Sequence, residues 1–124
     1  MEPDTLVAGE VDVLLVMADR RLRAYALGEL LELGYEVVAV PRARHARALV
    51  RAGVRPRLLV VDLAGLSDGG DAVRDLLTHP PLGLLVLVSA FQREDVAHLP
   101  PGHVLVRPFT VGQLVERVRH LLGA

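Results

Sequence analysis

The sequence predicts an α/β fold, an open parallel sheet of five strands with helices on both faces. Three observations predict it. Short, almost continuous runs of Val and Leu alternate along the chain with segments whose apolar residues fall at helical spacing. The apolar runs are too uniform for a sheet with one wet face, and suit strands buried on both sides. The β-α order repeats five times, which calls for right-handed crossovers and a three-layer arrangement.

The first strand is expected in "VDVLLVM" (11–17). A helix follows over 20–33, with Leu22, Tyr25, Ala26, Leu30 and Leu33 as its apolar stripe and Gly34 as its stop. Asp19 stands where an N-cap is wanted. "YEVVAV" (35–40) is a weaker second strand, and a helix over 43–52 runs up to Gly53. "LLVVD" (58–62) is the third strand. A helix over 70–78 halts before Pro80 and Pro81, and "HPP" (79–81) reads as a turn. "LLVLVS" (84–89) and "HVLVR" (103–107) complete the sheet. Thr110 then opens a last helix, with Val111, Leu114, Val115, Val118, Leu121 and Leu122 on one side.

The chain has 124 residues, enough for one domain that buries a core without staples. We expect residues 1–10 to be a poorly ordered leader and 11–124 to be the domain. There is no Cys, which removes disulfides, thiolate metal sites and cysteine nucleophiles. No apolar run reaches the ~18 residues of a membrane span, and the acidic start does not read as a signal peptide; the expectation is a cytoplasmic protein. The net charge of −1 gives no bulk electrostatic argument for nucleic acid. All 14 basic residues are Arg.

In open α/β sheets, ligands bind beyond the carboxyl ends of the strands. The residues there are Met17, Ala18 and Asp19 after the first strand, Asp62 after the third, Ser89 after the fourth, and Arg107, Pro108 and Phe109 after the fifth. One carboxylate, one hydroxyl and one cation on three strand ends are a weak signal by spacing alone.

Several segments together carry a more specific signal. "LLVVDLAGLSDGG", "LLVLVSA", "VLVRPF" and "ELLELGYEVVAV" resemble the corresponding segments of the receiver domain of bacterial two-component response regulators, over about residues 11–122. The resemblance implies a flavodoxin-like fold with strand order 2-1-3-4-5, participation in a phosphorelay, and a cis bond at Arg107–Pro108. It implies that Asp62 is the phosphoacceptor position, that Ser89 is the position contacting phosphoryl oxygens, and that Arg107 stands at the conserved Lys.

Four departures set this chain apart. The family's paired metal-binding carboxylates fall on Met17 and Ala18, and Asp19 comes one residue too late. Arg107 replaces Lys, although a chain without Lys makes this less telling. The loop after Asp62 is one residue short, with Asp68 read as a turn residue and the usual proline missing. Ser89 and Arg107 are only 18 residues apart, so the fourth helix, near 92–98, is expected to be stunted. Mg²⁺ wants near-octahedral oxygen ligands, which a thioether and a methyl group cannot supply. A guanidinium also forks readily onto a carboxylate, so Asp62 and Arg107 are expected to pair.

The expectation is therefore a degenerate receiver, or pseudo-receiver: not an enzyme, without a cofactor, and working through a histidine kinase, an output domain or another signalling protein. The resemblance points to a homodimer or partner surface on the face of the fourth helix, fifth strand and fifth helix, though Val104 replaces the usual aromatic switch residue there. Two alternatives stay open. One is a working phosphoacceptor that uses Asp62 with Mg²⁺; the other is a flavodoxin-like nucleotide or flavin site, for which "MADRRLR" lacks the phosphate-cradling Gly, Ser and Thr. Whether the chain stands alone or is part of a longer regulator is also open.

"PRARHARALVRAGVRPR" (41–57) holds six Arg and one His. Arg44, Arg47 and Arg51 share a stripe, while Ala46, Leu49 and Val50 turn to the sheet. A solvated face is the expected reading, ahead of docking to an acidic partner or nucleic acid. The histidines at 45, 79, 98, 103 and 120 show no metal-ligand spacing.

Overall fold

The structure, a computed structural model, describes residues 9–66, 70–78 and 83–123. Five parallel strands form one sheet in the order β2-β1-β3-β4-β5. They are β1 (Glu10–Val16), β2 (Val37–Val40), β3 (Arg55–Asp62), β4 (Gly83–Val88) and β5 (Val104–Val106). The helices are α1 (Arg20–Glu32), α2 (Ala43–Arg51), α3 (Gly70–Thr78) and α4 (Val111–Leu121). The order and layering are those of a flavodoxin-like fold.

The period of two along a strand divides the core into halves. On β1, Val13 and Leu15, with Met17 just past its end, face one side, under α1 and α4. Leu14 and Val16 face the other, under α2 and α3. β3 and β4 repeat the pattern with Leu58, Val60, Leu85 and Leu87 against Leu59, Val61, Val86 and Val88. Each fully buried Leu or Val contributes roughly 1.5–3 kcal/mol of hydrophobic stabilisation, so both faces of the three central strands hold the sheet in place. Register follows: Val16 lies beside Val40 on one side and Val61 on the other.

Local chemistry sets the ends of the helices. Asp19 caps α1, its Oδ1 accepting from the Leu22 amide at 2.9 Å. Thr110 and Gln113 form a reciprocal capping box at α4, with distances of 3.0 and 2.9 Å. Gly34 takes φ +92°, which closes α1 as a residue with a Cβ would not.

Several expectations need correction. β1 already includes Glu10, which pairs with Arg55, and Gly9 accepts from the Arg55 amide; the expected leader therefore loses its last residues to the sheet. Residues 1–8 of that leader, Asp68 and the turn at 79–81 lie outside the described residues. On α1 only Ala26 and Leu30 are buried, while Tyr25 is 62% and Leu33 47% exposed. Ala26 and Leu30, four residues apart, line one edge of the helix; Tyr25 is rotated off it and Leu33 is already the C-cap. β2 starts at Val37 because the Tyr35 amide is used to close α1, donating to the Leu30 carbonyl.

The shortened fourth helix is not α-helical. Residues Ala90–Val96 form 3-10 turns, and a second 3-10 turn, Pro101–His103, leads into β5. Pro100, which precedes another proline, is extended (φ −60°, ψ 147°) and separates the two turns, while Pro101 opens the second. β5 is an edge strand. Arg117 of α4 donates to the carbonyls of Gly102 (3.1 Å) and Val104 (2.9 Å) across it.

Candidate functional site

Asp62 ends β3 and is completely buried. Its neighbours explain how a carboxylate survives there. Oδ1 accepts from the Ala64 amide (3.1 Å), a local turn bond, and from Nη1 of Arg107 (2.9 Å). Oδ2 accepts from Nη2 of Arg107 at 2.5 Å. This is the forked, charge-assisted geometry in which arginine binds carboxylates most tightly. The Arg107 amide donates to the Val88 carbonyl (2.8 Å), which fixes the backbone that launches the side chain. The guanidinium lies 4.9 Å from the centre of the Phe109 ring, close enough for a cation–π contact. The hydrogen bonds to Asp62 hold the Arg107 guanidinium above its usual range, against the opposing effect of burial. The Arg107–Pro108 bond is cis.

The first-strand side of the site is built differently. Met17 continues the alternation of β1, so its side chain enters the core and is fully buried. Ala18 turns to the opposite direction and lines an open cleft of about 400 Å³ with Asp19, Asp62, Ala64, Gly65 and Arg107. Gly65 has φ +77°, and a Cβ there would lie 3.3 Å from Cβ of Ala18, so that wall of the cleft is tight. Arg23 of α1 donates to the carbonyls of Met17 (2.8 Å) and Ala18 (3.4 Å).

As a Mg²⁺ site this set does not fit. Both oxygens of Asp62 are engaged by Arg107, Asp19 is committed to its cap, and Arg23 already occupies the carbonyls of the turn. Among the described residues no group of three or more His, Asp or Glu side chains is placed to hold a metal.

Ser89 does not join Asp62. Its amide and its hydroxyl both donate to Oε1 of Gln92, at 2.9 and 3.0 Å, so the serine is used in starting the 3-10 segment. His103 meets the Leu84 carbonyl at 2.7 Å. The basic stripe of α2 is partly an inter-helix tie: Arg47 and Arg51 approach Asp75 of α3 at 3.6 and 3.2 Å. Ala46 is buried beneath it, with Leu49 and Val50 half-buried. A groove of about 350 Å³ runs between the 3-10 segment and β5, lined by Val96, Ala97, Pro101, Val104 and Val106, with Arg93 and Glu94 beside them.

A scan against protein-family models finds no match, and neither does a search of curated proteins. Solved structures do match. The response regulator receiver protein from Sinorhizobium medicae superposes with a TM-score of 0.71 at 24% identity, over 93% of this chain and 96% of that one. The receiver (REC) domain of the Erythrobacter litoralis PhyR response regulator gives 0.70 at 20% identity, over 92% and 91%. The receiver domain of NtrX from Brucella abortus gives 0.67 at 24%, over 90% and 98%. The chain has the fold of a response regulator receiver domain.

On this receiver fold, Asp62 and Arg107 are the two strand-end residues brought into contact. Sequence reasoning missed two participants, Arg23 against the first turn and Gly65 in the cleft wall, and it placed Phe109 at the strand end without its contact to the guanidinium. The only sequence signal for Arg23 was its position one helical turn beyond Asp19, which brings a long side chain back over the end of β1.

Proposed function

We propose that this chain is a receiver-like signalling module that acts by binding other proteins, and that Asp62 is not phosphorylated by the usual Mg²⁺-dependent route. The observation that carries the reading is the fork of Arg107 on Asp62. Phosphoryl transfer needs a free nucleophile and cations arranged on the moving group. Here the carboxylate is buried and both its oxygens are taken, while the position facing it across the cleft is Ala18. The module has no catalytic role of its own in this reading and takes no cofactor. It acts in the cytoplasm, on a histidine kinase, an output domain or another signalling protein. The groove beside β5 belongs to the face expected to receive such a partner or a second copy of the chain.

The alternative is a phosphoacceptor that releases Asp62 from Arg107 before reacting. Incubating the protein with Mg²⁺ and acetyl phosphate, followed by intact-mass spectrometry, separates the two. The expected result is an unchanged mass. A phosphorylated species that is lost in Asp62→Asn would overturn the proposal.

A further inference from the structure

Beyond its N-cap Asp19, helix α1 carries its end charges against its own dipole. Arg20 and Arg21 stand in the first turn and Glu29 and Glu32 in the last, with no acid in the first turn and no base in the last. Each placement works against the partial charge of the nearby helix end. Among the described residues, none of these four side chains has a hydrogen bond or ion-pair partner. The third arginine, Arg23, is engaged with the Met17 and Ala18 carbonyls.

Between the charged ends, the outer face of α1 is apolar. Tyr25 is 62% exposed and Leu31 51%, and Ala24 is exposed beside them. Gly28 is exposed too, and a Cβ there would meet nothing within 4 Å.

We infer that this face docks a second copy of the chain, the two α1 helices lying antiparallel across a two-fold axis. The charges select both occupant and direction. A parallel pair would set arginine on arginine and glutamate on glutamate. An antiparallel pair of the same helix brings each basic end to an acidic end, so the charges of one helix meet opposite charges on the other. The register follows from the sequence. Placing Arg21 opposite the partner's Glu32 places Tyr25 opposite the partner's Gly28 and, by symmetry, Gly28 opposite the partner's Tyr25. The one large exposed ring on the helix thus meets the one position without a side chain. The inference is independent of the chemistry at Asp62.

A helix of 13 residues is only ~20 Å long. The contact is therefore at the small end of specific interfaces, with a dissociation constant on the order of tens of micromolar. Sedimentation equilibrium of the full chain, from about 1 to about 500 µM, tests it against that expectation. The expected result is a monomer at the dilute end and a dimer at the concentrated end. The double variants Arg20→Glu/Arg21→Glu and Glu29→Arg/Glu32→Arg should each lose at least about tenfold in self-association while their thermal midpoints stay level or rise, because each corrects the helix dipole. Mixing the two variants in equal amounts should restore association. A wild-type monomer at every concentration, reversed variants that dimerise like wild type, or a mixture that stays monomeric would each overturn the inference. If a double reversal does not fold, Gly28→Leu serves instead, since its side chain enters open space. A tenfold weaker dimer supports the inference and an unchanged one overturns it.

Discussion

Arg107 reaches Asp62 across the end of an intervening strand. Asp62 closes β3 and Arg107 follows β5, with β4 between them, so the two backbones are about 10 Å apart. Only a long side chain spans that gap, and the guanidinium arrives with both terminal nitrogens on the carboxylate, at 2.9 and 2.5 Å.

The two halves of this contact are unequal, because the Asp62 side chain is 1% exposed and that of Arg107 30%. Arg107→Gln leaves a buried carboxylate with only the Ala64 amide, and should cost about 3 kcal/mol. Asp62→Asn leaves a cation that can turn to water, and should cost about 1–2 kcal/mol. Urea denaturation of the two variants checks the order.

Alkaline pH should not loosen the pair. The Arg107 guanidinium is held above its usual range, first by its hydrogen bonds to Asp62. A raised folded value means that the stabilisation is complete below the unfolded value, already far into the alkaline range, and is lost only as pH rises through the folded one. The stability gap between wild type and Arg107→Gln should therefore be flat from about pH 7 to about pH 10. In Arg107→Lys the corresponding gap should begin to close near the lysine range, about 10.4.

Ala18 is the residue to change if the metal is to be recovered. It lines the cleft with Asp62, whereas Met17 is in the core. Ala18→Asp combined with Arg107→Lys should gain Mg²⁺ binding measurable by titration calorimetry, because a second carboxylate then faces a less tightly forked Asp62. Wild type should give no heat, and stoichiometric Mg²⁺ binding by it would contradict the account of the site.

Gly65 should resist substitution. At φ +77°, with an added Cβ 3.3 Å from that of Ala18, Gly65→Ala combines backbone strain with a crowded wall. It should cost about 1–2 kcal/mol, read as a shift in the urea midpoint.

Asp75 is a contrasting case. Its ion pair with Arg51 joins side chains that are 46% and 66% exposed, so Asp75→Ala should cost less than about 1 kcal/mol, and less still at high salt.

What could be read from the sequence was whatever depends on local periodicity. The two-residue alternation in "VDVLLVM" and "LLVLV" is enough to place Leu14 and Leu15 on opposite faces. Thr110 marks the start of the last helix in the sequence, and the structure caps that helix there. What could not be read depended on the chain's return in space. Tyr25 lies close to the apolar stripe of its helix, yet it is 62% exposed. Ser89 is next to a glutamine that takes both of its donors, a choice that spacing does not reveal. The 3-10 geometry of Ala90–Val96 depends on the two prolines that follow. In the site, the Asp62–Arg107 geometry could be reasoned from residue chemistry, while Arg23 and Gly65 matter through positions that only folding defines.

The clasp of Arg117 on β5 has a consequence for how such molecules meet when crowded. Successive backbone groups of a strand alternate in direction, and the Arg107 amide points inward to Val88, so Val104 offers its own amide and carbonyl to the rim of the sheet. Both are already taken, the amide by the Pro101 carbonyl and the carbonyl by Arg117. An incoming chain finds both backbone groups of Val104 occupied, so strand addition at this end of the margin is discouraged.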